Sequence, residues 1–184
     1  MNKKNINCLI VDDEEGIRHI LQGICKERFR KTVTADNGET ALELLKEDHF
    51  DVVLLDLKMP GISGLDVFEQ IMKVHYNPTV IIQTGFGSED NVKKALKLGA
   101  FDYVEKPYDR TLLGRTLDRA IEKVHLEKIN NEILEYLLLT LTNINPKEYQ
   151  LMDKEKKSQF LEQVLGVLRV QRLNLLSKKK RESA

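Results

Sequence analysis

The stretch "FDVVLLDLKMPG" (50–61) decides the fold. Four consecutive apolar residues, 52–55, lead directly into the carboxylate of Asp56, and a Met-Pro-Gly turn follows. A short, continuous apolar run bounded by turn residues is typical of a strand that is buried on both faces. Taken alone, Asp56 would be a helix cap or a turn former. Its role depends on which other residues the fold brings beside it.

Residues 1–124 alternate between such apolar runs and segments with apolar residues at helical spacing. The predicted strands are "INCLIV" (6–11), "KTVTA" (31–35), "DVVLLD" (51–56), "PTVIIQ" (78–83) and "FDYVE" (101–105). Five strand–helix units with short connections predict a doubly wound α/β domain around a parallel sheet. In open sheets of this kind, ligands bind beyond the carboxyl ends of the strands.

The composition of the 184 residues is that of a globular protein, with 41% hydrophobic and 32% charged residues. The formal net charge is zero, so no global charge favours nucleic acid or an acidic membrane surface. Cys8 and Cys25 lack metal-ligand spacing and are predicted to be free, buried thiols in a reducing compartment, with a disulfide as the alternative. No apolar run reaches membrane-spanning length, and the N-terminal apolar stretch is too short for a signal peptide. We therefore expect a cytoplasmic protein without a membrane partner.

Residues 125–184 are predicted to form a helical extension. Between Arg115 and Asn145 there is neither glycine nor proline, which predicts one helix of about 30 residues that overshoots the α/β domain. Asn145 and Pro146 predict a new helix start, as cap and first-turn residue. The segment 160–176 is amphipathic and leads into the basic stretch 178–181. The prediction is thus the continued last helix of the α/β domain and one further amphipathic helix.

Polar side chains follow four of the predicted strands: Asp12 and Asp13, Asp56, Thr84, and Lys106. The carboxyl ends of parallel strands share one edge of the sheet, so these side chains are expected to converge. Clustered carboxylates repel one another unless a cation joins them. Oxygen ligands suit Mg²⁺, a lysine can hold a phosphoryl oxygen, and a carboxylate can attack phosphorus to form an acyl phosphate. Each residue alone has an ordinary structural explanation, but their joint occurrence favours a phosphoryl site.

The stretches "LIVDDEE", "VVLLDLKMPGISG", "IIQTGFG" and "FDYVEKPYD" together resemble the receiver domain of two-component response regulators. The resemblance covers residues 5 to about 124. It implies a flavodoxin-like sheet with strand order 2-1-3-4-5.

The resemblance also implies a role for each residue at the strand ends. Asp56 resembles the phospho-acceptor, and Asp12 and Asp13 resemble the acidic pair that holds Mg²⁺ together with Asp56 and the backbone carbonyl of Lys58. Thr84 and Lys106 resemble the residues that bind the phosphoryl group, and Tyr103 the aromatic that moves with Thr84. The peptide bond between Lys106 and Pro107 is expected to be cis. By the same resemblance, Lys58 and Phe86 correspond to positions that affect the lifetime of the acyl phosphate in this family.

The function implied is a response regulator that accepts a phosphoryl group from a sensor histidine kinase or a phosphotransfer protein. Self-catalysed phosphotransfer and dephosphorylation would be its only chemistry. One alternative is a transcription regulator that binds DNA through its basic C-terminal helices. Another is an aspartyl-phosphate hydrolase of the haloacid dehalogenase type, but that class has a second aspartate where this chain has Lys58.

The helical extension is predicted to carry the output. Its apolar stripe from Ile129 to Leu141 needs a partner, since the α/β domain cannot cover so long a helix. The stripe could pair with the same helix of a second chain as a coiled coil, with segment 160–176 of its own chain, or with both. We therefore expect a homodimer through the C-terminal helices and a downstream protein partner.

Overall fold

The computed structural model of the chain describes residues 5–73, 78–85, 89–141 and 145–182. The strands are β1 (Asn7–Val11), β2 (Lys31–Ala35), β3 (Val52–Asp56), β4 (Thr79–Thr84) and β5 (Asp102–Glu105). The helices are α1 (Glu15–Lys26), α2 (Gly38–Glu47), α3 (Gly64–Ile71), α4 (Glu89–Lys97), α5 (Arg110–Leu141), α6 (Pro146–Leu151) and α7 (Lys154–Glu182). Each predicted strand is present, and its bounds differ from the prediction by at most one residue.

The five strands form one parallel sheet in the order β2-β1-β3-β4-β5, as predicted. The order places β3 at the centre, between β1 and β4. Its register sets Leu55 beside Val11 and Asp56 beside Gln83, while Thr84 lies beside Glu105. The chain enters the sheet at β1, and the strand order reverses between β1 and β3, where this class of sheet binds ligands. Asp12 and Asp56 lie at this point.

Alternate side chains of the three inner strands, β1, β3 and β4, enter two separate hydrophobic clusters, because successive residues of a strand point to opposite faces. On one face Val53, Leu55 and Ile82 pack with the buried residues of α2, α3 and α4. On the other face Leu54 and Ile81 pack with α1 and the first half of α5. Burial on both faces explains why the strands read as continuous apolar runs. Cys8 and Cys25 lie in the second cluster as free thiols.

The chain divides into two compact units, Met1–Leu126 and Glu127–Ala184, which we call the α/β unit and the helical unit. The predicted boundary at residue 124 lies two residues earlier. Helix α5 runs for 32 residues through this boundary, close to the predicted length. None of the helices in the described ranges combines the length and the apolar composition that crossing a bilayer requires.

The helical unit differs from the prediction in one respect, because two helices follow α5 where one was expected. Asn145 caps α6 by accepting a hydrogen bond from the Lys147 amide, as its sequence predicts. That helix ends at Leu151, and Asp153 starts α7 by accepting a hydrogen bond from the Lys156 amide at 2.8 Å. Phe86 lies outside the described residues, and of the basic stretch 178–181 only the backbone is described.

Candidate functional site

Asp56 is the last residue of the central strand and is almost fully buried, with 3% of its surface exposed. Its Oδ1 accepts a hydrogen bond from the Lys58 amide at 2.9 Å, which fixes the carboxylate relative to the turn that follows. Gly64 returns close beneath this turn, where an added Cβ would lie 2.6 Å from the Leu57 Cα. Gly61 supplies the positive φ of 82° that the turn requires. The sharp end of the strand therefore places the carboxylate at the edge of the sheet.

Asp12 follows β1 and is fully buried. Its amide continues the pairing with β2 by donating to the Ala35 carbonyl at 3.1 Å, and its Oδ1 accepts from the Glu14 amide at 3.0 Å. Arg18 of α1 braces this loop, because its Nη1 donates to the carbonyls of both Asp12 and Asp13 at 2.7 and 2.8 Å. The Asp13 side chain is more accessible than that of Asp12. The loop thus holds one acid inside and one at the surface.

Lys106 joins the two buried carboxylates. Its Nζ lies 2.5 Å from Oδ2 of Asp56 and 2.8 Å from Oδ2 of Asp12, with Glu14 farther away at 3.6 Å. The Lys106 side chain is only 14% exposed. Its amide donates to the Thr84 carbonyl at 2.8 Å, and its bond to Pro107 is cis, as predicted. The end of β5 therefore delivers an ammonium group between the ends of β1 and β3.

The charges of this cluster act on one another's pKa. Burial raises the pKa of Asp12, and the nearby charge of Asp56 adds to this, while the Lys106 ammonium lowers it only in part. Burial alone would lower the pKa of Lys106, but its close contacts with the carboxylates of Asp12 and Asp56 leave it raised above the ordinary value. Lys106 accordingly stays charged and neutralises part of the negative charge of the pocket.

The donor set fits a divalent cation. Asp12, Asp13 and Asp56 each offer a carboxylate oxygen, and these oxygens all lie within 4.8 Å of one another. The buried Oδ2 of Asp12 has the Lys106 ammonium as its ion-pair partner but no well-aligned hydrogen-bond donor. One lysine leaves three carboxylates with an excess of negative charge, and hard oxygen donors in this number suit Mg²⁺. A cation at this edge of the sheet would remove that excess.

The structure brings together four of the predicted site residues, and the others lie on β4, on β5 and in the turn after β3. Asp12, Asp13, Asp56 and Lys106 form the cluster just described. Thr84 ends the adjacent strand, is buried, and donates its hydroxyl hydrogen bond to the Gly85 carbonyl at 3.1 Å. Tyr103 lies on β5 with 40% of its surface exposed. The Lys58 amide donates to Asp56. The role of the Lys58 carbonyl as a metal ligand stays a prediction.

Three residues around the site were not predicted from the sequence. Arg18 braces the acidic loop, as described above. Gln83 is a fully buried glutamine in β4, and its side chain bonds to the hydroxyl of Tyr108. Burial raises the pKa of Tyr108, and the charges of Asp12, Asp56 and Glu14 raise it further, so the phenol stays protonated. The signal for Gln83 was a polar residue in an apolar strand, and the signal for Tyr108 was an aromatic residue directly after Lys106-Pro107.

The fold and this cluster define a class of signalling domain, and the comparison with known proteins agrees. The profile of the response regulator receiver domain matches residues 8–118. The chain therefore belongs to the response regulator receiver family, as its motifs predict. The α/β unit is its receiver domain, and we call it the receiver unit from here on.

Two curated relatives and one solved structure illustrate the similarity. Regulatory protein AtoC of Escherichia coli is 36% identical over 120 residues, which are 65% of this chain and 26% of AtoC. Sporulation initiation phosphotransferase F of Bacillus subtilis is 37% identical over 109 residues, 59% of this chain and 86% of that protein. The receiver domain protein of Clostridium thermocellum superposes with a TM-score of 0.61 at 34% identity, covering 66% of this chain and 98% of that one. The chain spans only about a quarter of AtoC.

Proposed function

We propose that the protein is a two-component response regulator that accepts a phosphoryl group on Asp56 in the presence of Mg²⁺. The donor is a sensor histidine kinase or a phosphotransfer protein. The observation that carries the proposal is the position of the Lys106 ammonium, 2.5 Å from Asp56 and 2.8 Å from Asp12, beside a third carboxylate. Membership of the receiver family supports it.

The residues that would hold Mg²⁺ are Asp12, Asp13 and Asp56, with the backbone carbonyl of Lys58 as a further ligand. The ion would lower the repulsion between the carboxylates and the incoming phosphate oxygens. Arg18 keeps the loop of Asp12 and Asp13 in place through their carbonyls. In this arrangement the protein supplies position and charge, which are the main requirements of phosphoryl transfer.

The transfer step uses one carboxylate oxygen of Asp56 as the nucleophile. This oxygen forms a bond to phosphorus, the bond from phosphorus to the donor nitrogen breaks, and its electron pair stays on the imidazole of the donor histidine. Lys106 exchanges its contact with Asp56 for a contact with a phosphoryl oxygen, which balances the charge on the equatorial oxygens. Water later hydrolyses the acyl phosphate. The protein turns over no other substrate.

Labelling with acetyl phosphate and Mg²⁺ tests this proposal. We expect the intact mass to increase by one phosphoryl group, and we expect Asp56→Asn to abolish the increase. Asp36→Asn is the matched control, because Asp36 is an exposed aspartate directly after β2 at the same edge of the sheet. Unlabelled wild-type protein, or equal labelling of Asp56→Asn, would contradict the proposal.

The output that we propose is a change in association through the helical unit. Phosphoryl contacts to Thr84 and Lys106 favour one arrangement of the loops after β3 and β4, and Tyr103 transmits the change to the face of β5 and α5. The exposed apolar residues Leu126, Ile129, Ile133 and Tyr136 of α5 follow one another at intervals of three, four and three positions. This is the spacing of a coiled-coil seam, and it supports pairing with a second copy.

Light scattering coupled to size exclusion tests the output, with and without beryllofluoride and Mg²⁺. We expect the full chain to dimerise in at least one state and residues 1–124 to stay monomeric. Ile133→Glu should abolish the dimer, while Asn131→Glu on the other side of α5 should preserve it. A full chain that is monomeric in both states contradicts the dimer, and sequence-selective, salt-dependent DNA retardation would favour a transcription output instead.

A further inference from the structure

The buried side chain of Gln83 connects two segments that carry site residues. Its Nε2 donates to the Val11 carbonyl at 3.3 Å, and its Oε1 accepts the hydrogen bond of the Tyr108 hydroxyl. A glutamine amide in an apolar core is costly unless both of its ends have partners, and here both have. The side chain therefore bridges the end of β1 and the loop between β5 and α5.

Each of these three residues lies one or two positions from a residue of the phosphoryl site. Val11 precedes Asp12, Gln83 precedes Thr84, and Tyr108 follows Lys106 and Pro107. A backbone hydrogen bond also ties the segment of Gln83 to that of Tyr108, since the Lys106 amide donates to the Thr84 carbonyl at 2.8 Å. A change in the Gln83–Tyr108 contact therefore displaces the loop of Lys106, because Tyr108 is only two residues from that lysine.

We propose that the Gln83–Tyr108 hydrogen bond positions Lys106 for phosphoryl transfer, which makes both Gln83 and Tyr108 positioning residues. This inference rests on the proposed function of Asp56. Lys106 has a long, flexible side chain that loses rotamer entropy when its ammonium is held between two carboxylates, so a fixed loop beneath it favours that position. The hydroxyl of Tyr108 supplies that fixed point from outside the cluster.

A role in stability alone makes a different prediction from a positioning role. Removing one partner of a buried hydrogen bond leaves the other polar group unsatisfied, which costs stability. A purely structural pair would, when removed, lower the unfolding temperature without changing the chemistry of the folded protein. A positioning pair acts through Lys106, so its effect must disappear when the lysine is absent.

A mutant cycle between Tyr108 and Lys106 tests the proposal. We expect Tyr108→Phe to slow acetyl phosphate labelling of Asp56 about five- to tenfold at saturating Mg²⁺, because small displacements of a positioned group cost this much or more. In a Lys106→Met background the same change should alter the rate less than about twofold. Beryllofluoride affinity, measured by ¹⁹F NMR with Mg²⁺, gives the same cycle at equilibrium where the labelling of Lys106→Met is too slow.

The second arm uses Gln83→Met, which keeps the length of the side chain and removes both hydrogen bonds. We expect this variant to slow labelling as Tyr108→Phe does, and the double variant to be no slower than the more impaired single one. Tyr149→Phe, the same change in α6 of the helical unit, is the control and should leave the rate unchanged.

The outcomes separate this inference from the proposed function. Wild-type protein that is not labelled on Asp56 overturns the proposed function. Labelled wild-type protein with Tyr108→Phe and Gln83→Met at the wild-type rate overturns the positioning role alone. Equal slowing by Tyr108→Phe with and without Lys106 also overturns it, because the effect would then not pass through the lysine.

Discussion

The receiver unit and the helical unit bury their apolar side chains to very different extents. In the receiver unit the sheet separates two hydrophobic clusters, and the large side chains of residues such as Phe50 and Phe68 are fully buried. In the helical unit Tyr149 and Val164 are the buried hydrophobic residues among those that the structure describes, while Ile129 and Ile133 are about half exposed. Tyr149 packs against Phe160 at a ring distance of 5.6 Å.

The difference shows where the free energy of folding comes from in each unit. Burial of apolar area stabilises the receiver unit by itself, at roughly 25 cal/mol per Å². Among the residues that the structure describes, the helical unit has backbone hydrogen bonds and a small group of contacts between α6 and α7, in which Phe160 packs on Tyr149 and Lys157 contacts the Tyr149 ring and the Gln150 carbonyl. Isolated helices are marginally stable in water, so this unit depends on the continuation of α5 from the receiver unit and on further burial of its exposed apolar residues.

Cutting the chain at the boundary should give the largest effect. We expect residues 1–126 to unfold cooperatively as in the full chain, because both hydrophobic clusters are retained. Residues 127–184 alone should lose about half or more of their helical circular dichroism at low concentration and regain it as concentration rises. Cooperative, concentration-independent unfolding of 127–184 would contradict the comparison.

Truncating one apolar side chain in each unit should give the next largest difference. Phe68 is fully buried against the first cluster, so Phe68→Ala should lower the free energy of unfolding by about 3–5 kcal/mol. Ile133 is 53% exposed, so Ile133→Ala should cost the monomer about 0.5 kcal/mol or less. Urea unfolding of the full chain measures both. A larger loss for Ile133→Ala at high concentration alone would indicate a dimer, since only association buries that residue.

Replacing one glycine by alanine in each unit should change stability in opposite directions. At Gly64 an added Cβ meets the backbone of Asp56 and Leu57, so Gly64→Ala should destabilise the receiver unit by about 1–3 kcal/mol and slow labelling of Asp56. At Gly166, inside α7, an added Cβ meets nothing within 4 Å. Gly166→Ala should therefore stabilise α7 by about 0.5–1 kcal/mol. Thermal unfolding measures both, and loss of stability at Gly166 would show that α7 has a close neighbour there.

The residues that the sequence allowed us to predict are those whose position follows from local pattern. The apolar run before Asp56 predicted β3, and parallel strands bring their carboxyl ends to one edge, so Asp12, Asp56 and Lys106 could be placed together. The cap at Asn145 was predicted for the same reason, because its signal lies within four residues.

Contacts between distant segments could not be predicted in this way. The bond between Tyr108 and Gln83 joins residues 25 positions apart, and only the register of β4 in the folded sheet shows that they meet. The break between α6 and α7 was missed because neither glycine nor proline marks it. Asp153 was its only local signal, and an exposed aspartate among charged residues is too common to indicate a helix cap.

The smallest expected effect is a pH dependence of helix stability, which comes from the capping aspartates of α5 and α7. At the start of α5, Asp109 accepts hydrogen bonds from the amides of Leu112 and Thr111, and these bonds lower its pKa. At the start of α7, the hydrogen bond from the Lys156 amide lowers the pKa of Asp153 in the same way. A lowered pKa in the folded state means that each carboxylate stabilises that state at a pH above its unfolded pKa of about 4. This stability is lost as the pH falls through the pKa of the folded state.

Asp153→Asn should retain the capping oxygen but remove this acid-dependent loss of helicity, as measured by circular dichroism between about pH 2 and 6. The same change at Asp109 should have less effect on helicity, because packing against the receiver core holds the first half of α5 in place. Equal acid sensitivity of Asp153→Asn and wild-type protein would contradict the cap as the source.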